Sequence, residues 1–486
     1  MGAQHNQSVT EEFAAFVAGL KFEDLPEPVV HEVKRLVLDT IGCGISGFSH
    51  ERGVISRRVA ESFGGAPEAT ILVSGTKTSS ANAAYANANM ASALDNEETW
   101  MNSGHISSMV VFPAIALGER LCASGKDLIT AVAAGYEVAA RIGLSTGFLG
   151  TIEDGEVKMA EVYGTCSWHG MGAVASSGKM LGLSEQQMGH ALGVEGHFAP
   201  MPSMSLWLSG YDEPLIKYWD SGWASMGGIW AALLAKQGYT AVENILDGDR
   251  GFWRTYGAPN CNFDIMRRGL GKKWWLRELS YKPWPTCRLT HHALTPFVKL
   301  IDEHNISPQE VEKVTIKGSY MWTPRFKDPD PKLPANTQFN APHALAMAIF
   351  KIPPGPDWHK PEIVDSPAVR DFRKKVSIEI SREVMNQSIT TQVSGPTGAI
   401  KEIPTTVEIV ARGQTFTAST RYAKGDPWSD ETIMTDDELK GKFRINSVGV
   451  LTCSCHWREQ IEQIIDTIFS LEELTDLDHL TRLLSA

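Results

Sequence analysis

The sequence predicts a mainly α protein: a large helical domain built from both chain ends, with a smaller α+β unit inserted between them. Three observations predict it. Apolar residues recur at helical spacing through roughly the first 270 positions. Period-two text replaces that pattern between about 311 and 420. Helical text then returns after Pro427 and closes the chain. At 486 residues the chain is long for a single core, which agrees with division into domains. The expected boundaries are 1–274 for the first part of the helical domain, 275–425 for the α+β lid and 426–486 for the C-terminal helical part.

Taken in order, Phe13, Phe16, Val17 and Leu20 mark an acidic amphipathic helix. Val29, Val30, Val33, Leu36 and Val37 fall on one face of the next. Met109–Leu121, with Pro113 inside it, and Leu128–Ile142 are rich in Ala, Val and Leu. Gly170–Leu183 and Ala224–Ala235 are Ala/Gly-rich, so their helices can approach closely. In the insert, the stretches beginning at Val311, Val376 and Val407 read as strands. Gly413 marks a turn, and Thr415–Thr420 reads as a further strand. Ala341–Phe350 reads as a helix, with Pro342 in its first turn, where a missing N–H costs nothing. Trp457, Ile461, Ile464, Ile465 and Ile468 make one apolar face near the C-terminus. Strands and helices are segregated rather than alternating, which is the α+β pattern.

Composition narrows the function. Hydrophobic content is 43% and charged content 21%, the balance of a soluble globular enzyme. The net charge of −12, with no Lys/Arg-rich block, argues against a nucleic-acid partner. No signal peptide, transit peptide or membrane span is read, and the expected location is cytoplasmic. Seven scattered cysteines do not make a disulfide framework. Cys453-Ser454-Cys455-His456 lacks the companion ligands of a zinc site, so no metal is expected. Gly42-Cys43-Gly44-Ile45-Ser46-Gly47 matches the dinucleotide fingerprint as a string, but helical text precedes it where a strand is required, so helix packing is expected. Ser177-Gly178-Lys179 lacks phosphate-loop spacing. Cys166 and Cys287 are expected to be buried small hydrophobes.

The chemistry concentrates in Asp95-Asn96-Glu97-Glu98-Thr99-Trp100-Met101-Asn102-Ser103-Gly104-His105. Acids, a hydroxyl and an imidazole stand here between apolar, small-residue helices. Burying such groups is costly unless they are paired, and chains tolerate that cost where chemistry needs it. Further segments share this character. Lys217-x-x-x-x-Gly222-x-Ala224 sets a cation before a small-residue helix, and Lys282-Pro-x-Pro-x-Cys287-Arg288-x-x-His291-His292 concentrates cations, a thiol and imidazoles. Tyr320 directly follows the first lid strand, and Tyr163 precedes the helix at Gly170.

In this order, these segments resemble the MmgE/PrpD family, which includes 2-methylcitrate dehydratase, cis-aconitate decarboxylase and iminodisuccinate epimerase. The resemblance runs from about Val30 to Leu483. It implies a helical domain with an α+β lid, a homodimer, and no metal or organic cofactor. It also implies that Asp95, Thr99, His105, Lys217, Lys282, His291 and Tyr320 line a pocket for a small anionic carboxylate. The sequence departs from the family pattern twice. Val162-Tyr163 stands where the decarboxylases carry an aromatic-His pair, and Asp-Asn-Glu-Glu-Thr replaces Asp-x-Asp-Asp-Thr. His169 is a second imidazole nearby.

The expected chemistry is proton traffic beside a carboxylate. Fixed cations stabilise a carbanion-like state without a metal, and Lys217, Lys282 and Arg288 are the candidates. His105 is the expected acid/base, and Asp95 either orients it or holds a proton itself through burial. Thr99, Lys282, His291 and Arg288 are expected to hold substrate. Tyr320 would reach in from the lid, and Tyr163 would supply either a second base or packing. A lyase acting on a di- or tricarboxylate is the leading expectation, by decarboxylation of an aconitate-like acid or dehydration of a citrate-like one. An epimerase of a dicarboxylate such as iminodisuccinate is the alternative, and a non-catalytic polycarboxylate-binding member a third.

Overall fold

The computed structural model describes residues 8–100, 104–146, 150–153, 156–159, 167–199, 206–207, 210, 212–318, 324–381, 383–384, 386, 400–451 and 457–485. Its longer helices are α1 (Val9–Gly19), α2 (Glu27–Ser46), α3 (Glu51–Phe63), α4 (Ser80–Ala91), α5 (Ser107–Leu121), α6 (Gly125–Thr146), α7 (Trp168–Met180), α8 (Glu185–Phe198), α9 (Ser221–Lys236), α10 (Arg288–Glu303), α11 (Ala341–Ile349), α12 (Asp436–Ser447) and α13 (Trp457–Phe469). One sheet contains β1 (Val311–Gly318), β2 (Val376–Ile380), β3 (Thr405–Ala411) and β4 (Gln414–Thr420). The architecture is mainly α with a small α+β region.

Two apolar cores divide the chain. The larger takes residues from Val9 to Tyr281 and again from Met434 to Leu484, so both chain ends fill one interior. The smaller takes residues from Ala293 to Ala411. In the larger core α6 packs between α5 and α7. By length and composition α6 is apolar enough to cross a membrane, yet its whole apolar window is buried inside the protein. Its buried pair Glu137–Arg141, 2.8 Å apart, turns outward to the backbone. Arg141 donates to the carbonyls of Met266 (2.9 Å) and Lys273 (2.8 Å), while Glu137 accepts from the Trp275 N–H at 2.9 Å. That brace leads the chain into the segment that carries Lys282.

The sheet order is β2-β1-β3-β4. β1 runs parallel to β2 and antiparallel to β3, which pairs with β4 through a tight hairpin. Arg412 and Gly413 both have positive φ, as a primed hairpin turn requires. β3 alternates between buried and half-buried residues, so Val407, Ile409 and Ala411 face one way. They join Leu294, Phe297 and Ile301 of α10 in the smaller core.

Gly42–Gly47 lies within or at the end of α2 rather than in a strand-to-helix turn. A Cβ at Gly42 would stand 2.8 Å from the Phe443 ring of α12, so the glycine serves helix packing. Ser177-Gly178-Lys179 lies inside α7.

Three helices meet at Glu195 of α8. A Cβ at Gly170 of α7 would fall 1.8 Å from its Oε1, and one at Gly227 of α9 would fall 3.4 Å from its Oε2. Burial alone pushes this carboxyl up to about 8. Its contribution to stability is therefore full below the ordinary glutamate value and is lost as pH rises toward 8. Glu195→Gln removes that dependence. Relative to the variant, the wild type should lose about 1.4 kcal/mol for each pH unit between about 4.5 and 8, read from urea denaturation at stepped pH. Parallel profiles for the two proteins would refute the assignment.

Candidate active site

Between α4 and α5 the polar residues Asp95 to Thr99 are buried. Asp95 (0% exposed) sits at φ +52°, a region costly for a residue with a Cβ. Its Oδ2 accepts from Lys282 Nζ at 2.9 Å, and its main-chain carbonyl accepts from the same nitrogen at 2.8 Å. Its Oδ1 lies 3.5 Å from Lys217 Nζ. Burial opposes ionisation of Asp95, but the charges of Lys282 and Lys217 outweigh it and hold the carboxyl well below the usual carboxylate range.

Lys217 is also held at positive φ, +58°, in the turn before α9. Its Nζ donates to the Ser92 carbonyl at 2.7 Å. Burial lowers its pKa, against the opposing pull of Asp95 and Glu97. Asp220 caps α9 through the Trp223 N–H at 2.7 Å and accepts from Asn89 of α4 at 3.1 Å, which ties the Lys217 turn to the helix preceding Asp95.

The neighbouring residues set the rest. α5 has no local side-chain cap. Glu98 supplies one from a distance, its Oε1 accepting from the N–H groups of Ile106 (2.8 Å) and Ser107 (3.1 Å). Burial raises this carboxyl to about 7. The Glu98 carbonyl accepts from His105 Nδ1 at 2.6 Å, which puts the proton on Nδ1 and leaves Nε2 its lone pair. That Nε2 lies 3.9 Å from Asp95 Oδ1. The imidazole stacks on Trp219 (5.0 Å between centroids, 23° between planes). Burial, aided by Lys282, pushes its pKa well below the ordinary value. His105 is therefore neutral in this state, and its free nitrogen faces the carboxylate that binds both lysines.

Thr99 acts first through its backbone. It exchanges two 2.8 Å hydrogen bonds with Ser280, an isolated antiparallel bridge that delivers Lys282 to Asp95. The Thr99 hydroxyl stands 3.5 Å from the Gly104 carbonyl.

The structure thus brings Asp95, His105, Lys217 and Lys282 together, with Thr99 beside them. Arg288 and His291 are occupied differently from the substrate-holding role expected of them. Arg288 pairs with buried Asp426 and donates to the Lys424 carbonyl at 2.8 Å. It also donates to His291 Nδ1 at 3.2 Å, while His291 Nε2 donates to the Thr286 carbonyl at 3.1 Å. Both side chains are spent shaping the loop after Lys282. Cys287 is partly exposed rather than the fully buried hydrophobe expected, and its surroundings push the thiol up to about 12. Tyr163, Tyr320, Cys166 and Cys453–His456 lie outside the described residues. Among the described residues, no group of three His, Cys, Asp or Glu is placed to hold a metal.

Glu97, Glu98 and Trp219 were not singled out from the sequence, although each stands within a segment that was. His169 packs edge-on against Trp219 at 6.0 Å, so the two imidazoles flank one indole. A cavity of about 380 Å³ adjoins this corner, lined among others by Trp207, Asp212, Ile216, Lys217, Tyr218 and Trp219.

The chain is thus a helical body with an α+β insert, in which a buried carboxylate is gripped by two lysines. The N-terminal domain of the MmgE/PrpD family matches residues 11–262 and its C-terminal domain matches residues 284–468. The chain belongs to the MmgE/PrpD family. It is 26% identical to the cis-aconitate decarboxylase of Mus musculus, covering 98% of this chain and 93% of that one. It is also 26% identical to the cis-aconitate decarboxylase of Homo sapiens, covering 98% and 95%. Over 60% of each chain it is 27% identical to the cis-aconitate decarboxylase of Aspergillus terreus (strain NIH 2624 / FGSC A1156).

Asp95→Asn strands two buried ammonium groups and should cost about 3–5 kcal/mol in chemical denaturation. A loss below about 1 kcal/mol would show that the two lysines do not depend on this carboxylate.

Proposed function

We propose that this chain is a lyase that removes CO2 from an aconitate-type tricarboxylate, without a metal or organic cofactor. The observation that carries the reading is the pair of buried ammonium groups on Asp95 with the bare nitrogen of His105 on the same carboxylate. The decarboxylases named among the relatives support the same chemistry.

The proton balance follows from the reaction. Breaking the C–CO2 bond leaves its electron pair on carbon, and a carboxylate conjugated with that carbon spreads the charge. Lys217 and Lys282 stabilise it as preorganised cations in a dry site. One proton must then reach carbon. The buried Lys217 ammonium is an acid strengthened by desolvation, and Asp95 Oδ1 stands between it (3.5 Å) and His105 Nε2 (3.9 Å). We assign proton delivery to the Lys217 ammonium, which the Asp95 carboxylate, an anion throughout, holds in place. Thr99 orients a substrate carboxylate.

Incubation with cis-aconitate in D2O, followed by NMR, should show one carboxylate lost and one deuteron gained at carbon. A new alkene from a citrate-type acid would establish dehydration instead. Exchange at an otherwise unchanged dicarboxylate would establish epimerisation. A rise in melting temperature without turnover would make the protein a carboxylate binder. Lys217→Met should lower kcat by about 10²–10³-fold. Activity should survive EDTA; activity lost to the chelator and restored by a divalent ion would overturn the cofactor assignment.

A further inference from the structure

Glu97 has no part in the chemistry above, yet it lies at the centre of the site's charges. It is 0% exposed, and neither of its carboxylate oxygens has a hydrogen-bond partner. Its neighbours in sequence are all engaged. The Asn96 carbonyl accepts from Lys442 Nζ at 2.6 Å, Glu98 caps α5, and Asp95 holds both catalytic lysines. The charged and titratable groups around Glu97 come from every element packed against it. Burial raises its pKa; Lys217 and then Lys282 pull it down, and Asp95 adds to the rise. Glu97 in turn bears on Arg52 of α3, Cys43 of α2, Lys442 of α12 and Glu98. Asp39, on α2, pairs with Lys442 at 2.6 Å.

This arrangement has a consequence for a polyanionic ligand. Lys217 and Lys282 already share Asp95, so each carboxylate arriving beside them adds negative charge to a buried cluster. Coulomb energies there are far larger than in water, and the cluster relieves the excess most cheaply by taking up a proton. Glu98 is committed to a helix N-terminus, whose N–H groups work against the rise that burial causes and which a proton on its carboxylate would leave without a full acceptor. Asp95 is pinned as an anion by two cations. Glu97 is the carboxylate on this loop neither of whose oxygens has a side-chain or neighbouring-residue donor.

We infer that Glu97 is the charge-compensating proton acceptor of the site, taking up one proton when a polycarboxylate binds in front of Lys217 and Lys282. It is a positioning residue that acts through the two lysines. The inference rests on the proposed polycarboxylate substrate. The sign is fixed: the anion raises the affinity of Glu97 for a proton, and by reciprocity the proton raises affinity for the anion. Ligand affinity therefore falls as pH rises.

Calorimetric titration with tricarballylate, a saturated tricarboxylate that cannot be decarboxylated to an alkene, tests this in buffers of different ionisation enthalpy. The wild type should take up about one proton per ligand, and its affinity should weaken toward about tenfold per pH unit where Glu97 titrates. Glu97→Gln should bind with uptake near zero and a flat pH profile. Binding without uptake in the wild type overturns the inference with no variant needed. Equal uptake in Glu97→Gln assigns the proton to Lys217 or His105 and also overturns it. Absence of any tricarboxylate binding to the wild type refutes the proposed substrate class itself, and with it this role. Should Glu97→Gln fail to fold, difference infrared spectra of the wild type with ¹³C-labelled ligand decide: a newly protonated protein carboxyl supports the inference, and its absence refutes it.

Discussion

The buried ion triad Lys217–Asp95–Lys282 is the constraint around which the rest of the structure is arranged. Three charges have left water, and each alone would be strongly unfavourable. They persist because each has a defined partner: Oδ2 and the carbonyl of Asp95 for Lys282, Oδ1 and the Ser92 carbonyl for Lys217. Two of the three residues are held in the left-handed backbone region. Such strain survives only where surrounding packing over-determines it. Here that packing is the α4–α9 contact, the Asp220 cap and the Thr99–Ser280 bridge.

The same triad explains why His105 is neutral. An imidazole so near Asp95 would ordinarily be drawn toward protonation. Burial and Lys282 act against it, and the Glu98 carbonyl fixes which nitrogen carries the proton. One short loop therefore sets ionisation, tautomer and ring orientation together, with Trp219 closing one face of the ring.

Much of this was legible in the sequence. β3 could be read because Val407, Ile409 and Ala411 turn one face inward, which is a local periodicity. Asp95, His105, Lys217 and Lys282 could be read because polar residues inside apolar text stand out and recur in the family's order. Other features depended on partners no local pattern reveals. Arg288 reads as a free cation, yet its partner Asp426 lies 138 residues away. Glu98 reads as one more acid in a cluster. Its work as a cap depends on the chain doubling back so that Ile106 and Ser107 meet its carboxylate. Gly42, Gly44 and Gly47 resemble a nucleotide loop until Phe443, Leu72 and Met90 are seen packed against them in turn.

The Thr99–Ser280 bridge has a mechanical side. It fastens the stretch carrying Lys282 to the helical body, although the smaller core begins only about ten residues later. Two backbone hydrogen bonds hold this stretch to the body, and Pro283 and Pro285 stiffen the chain that leads on toward the smaller core. Lys282 is thereby moored to the larger core, and its position is set before the chain enters the smaller one.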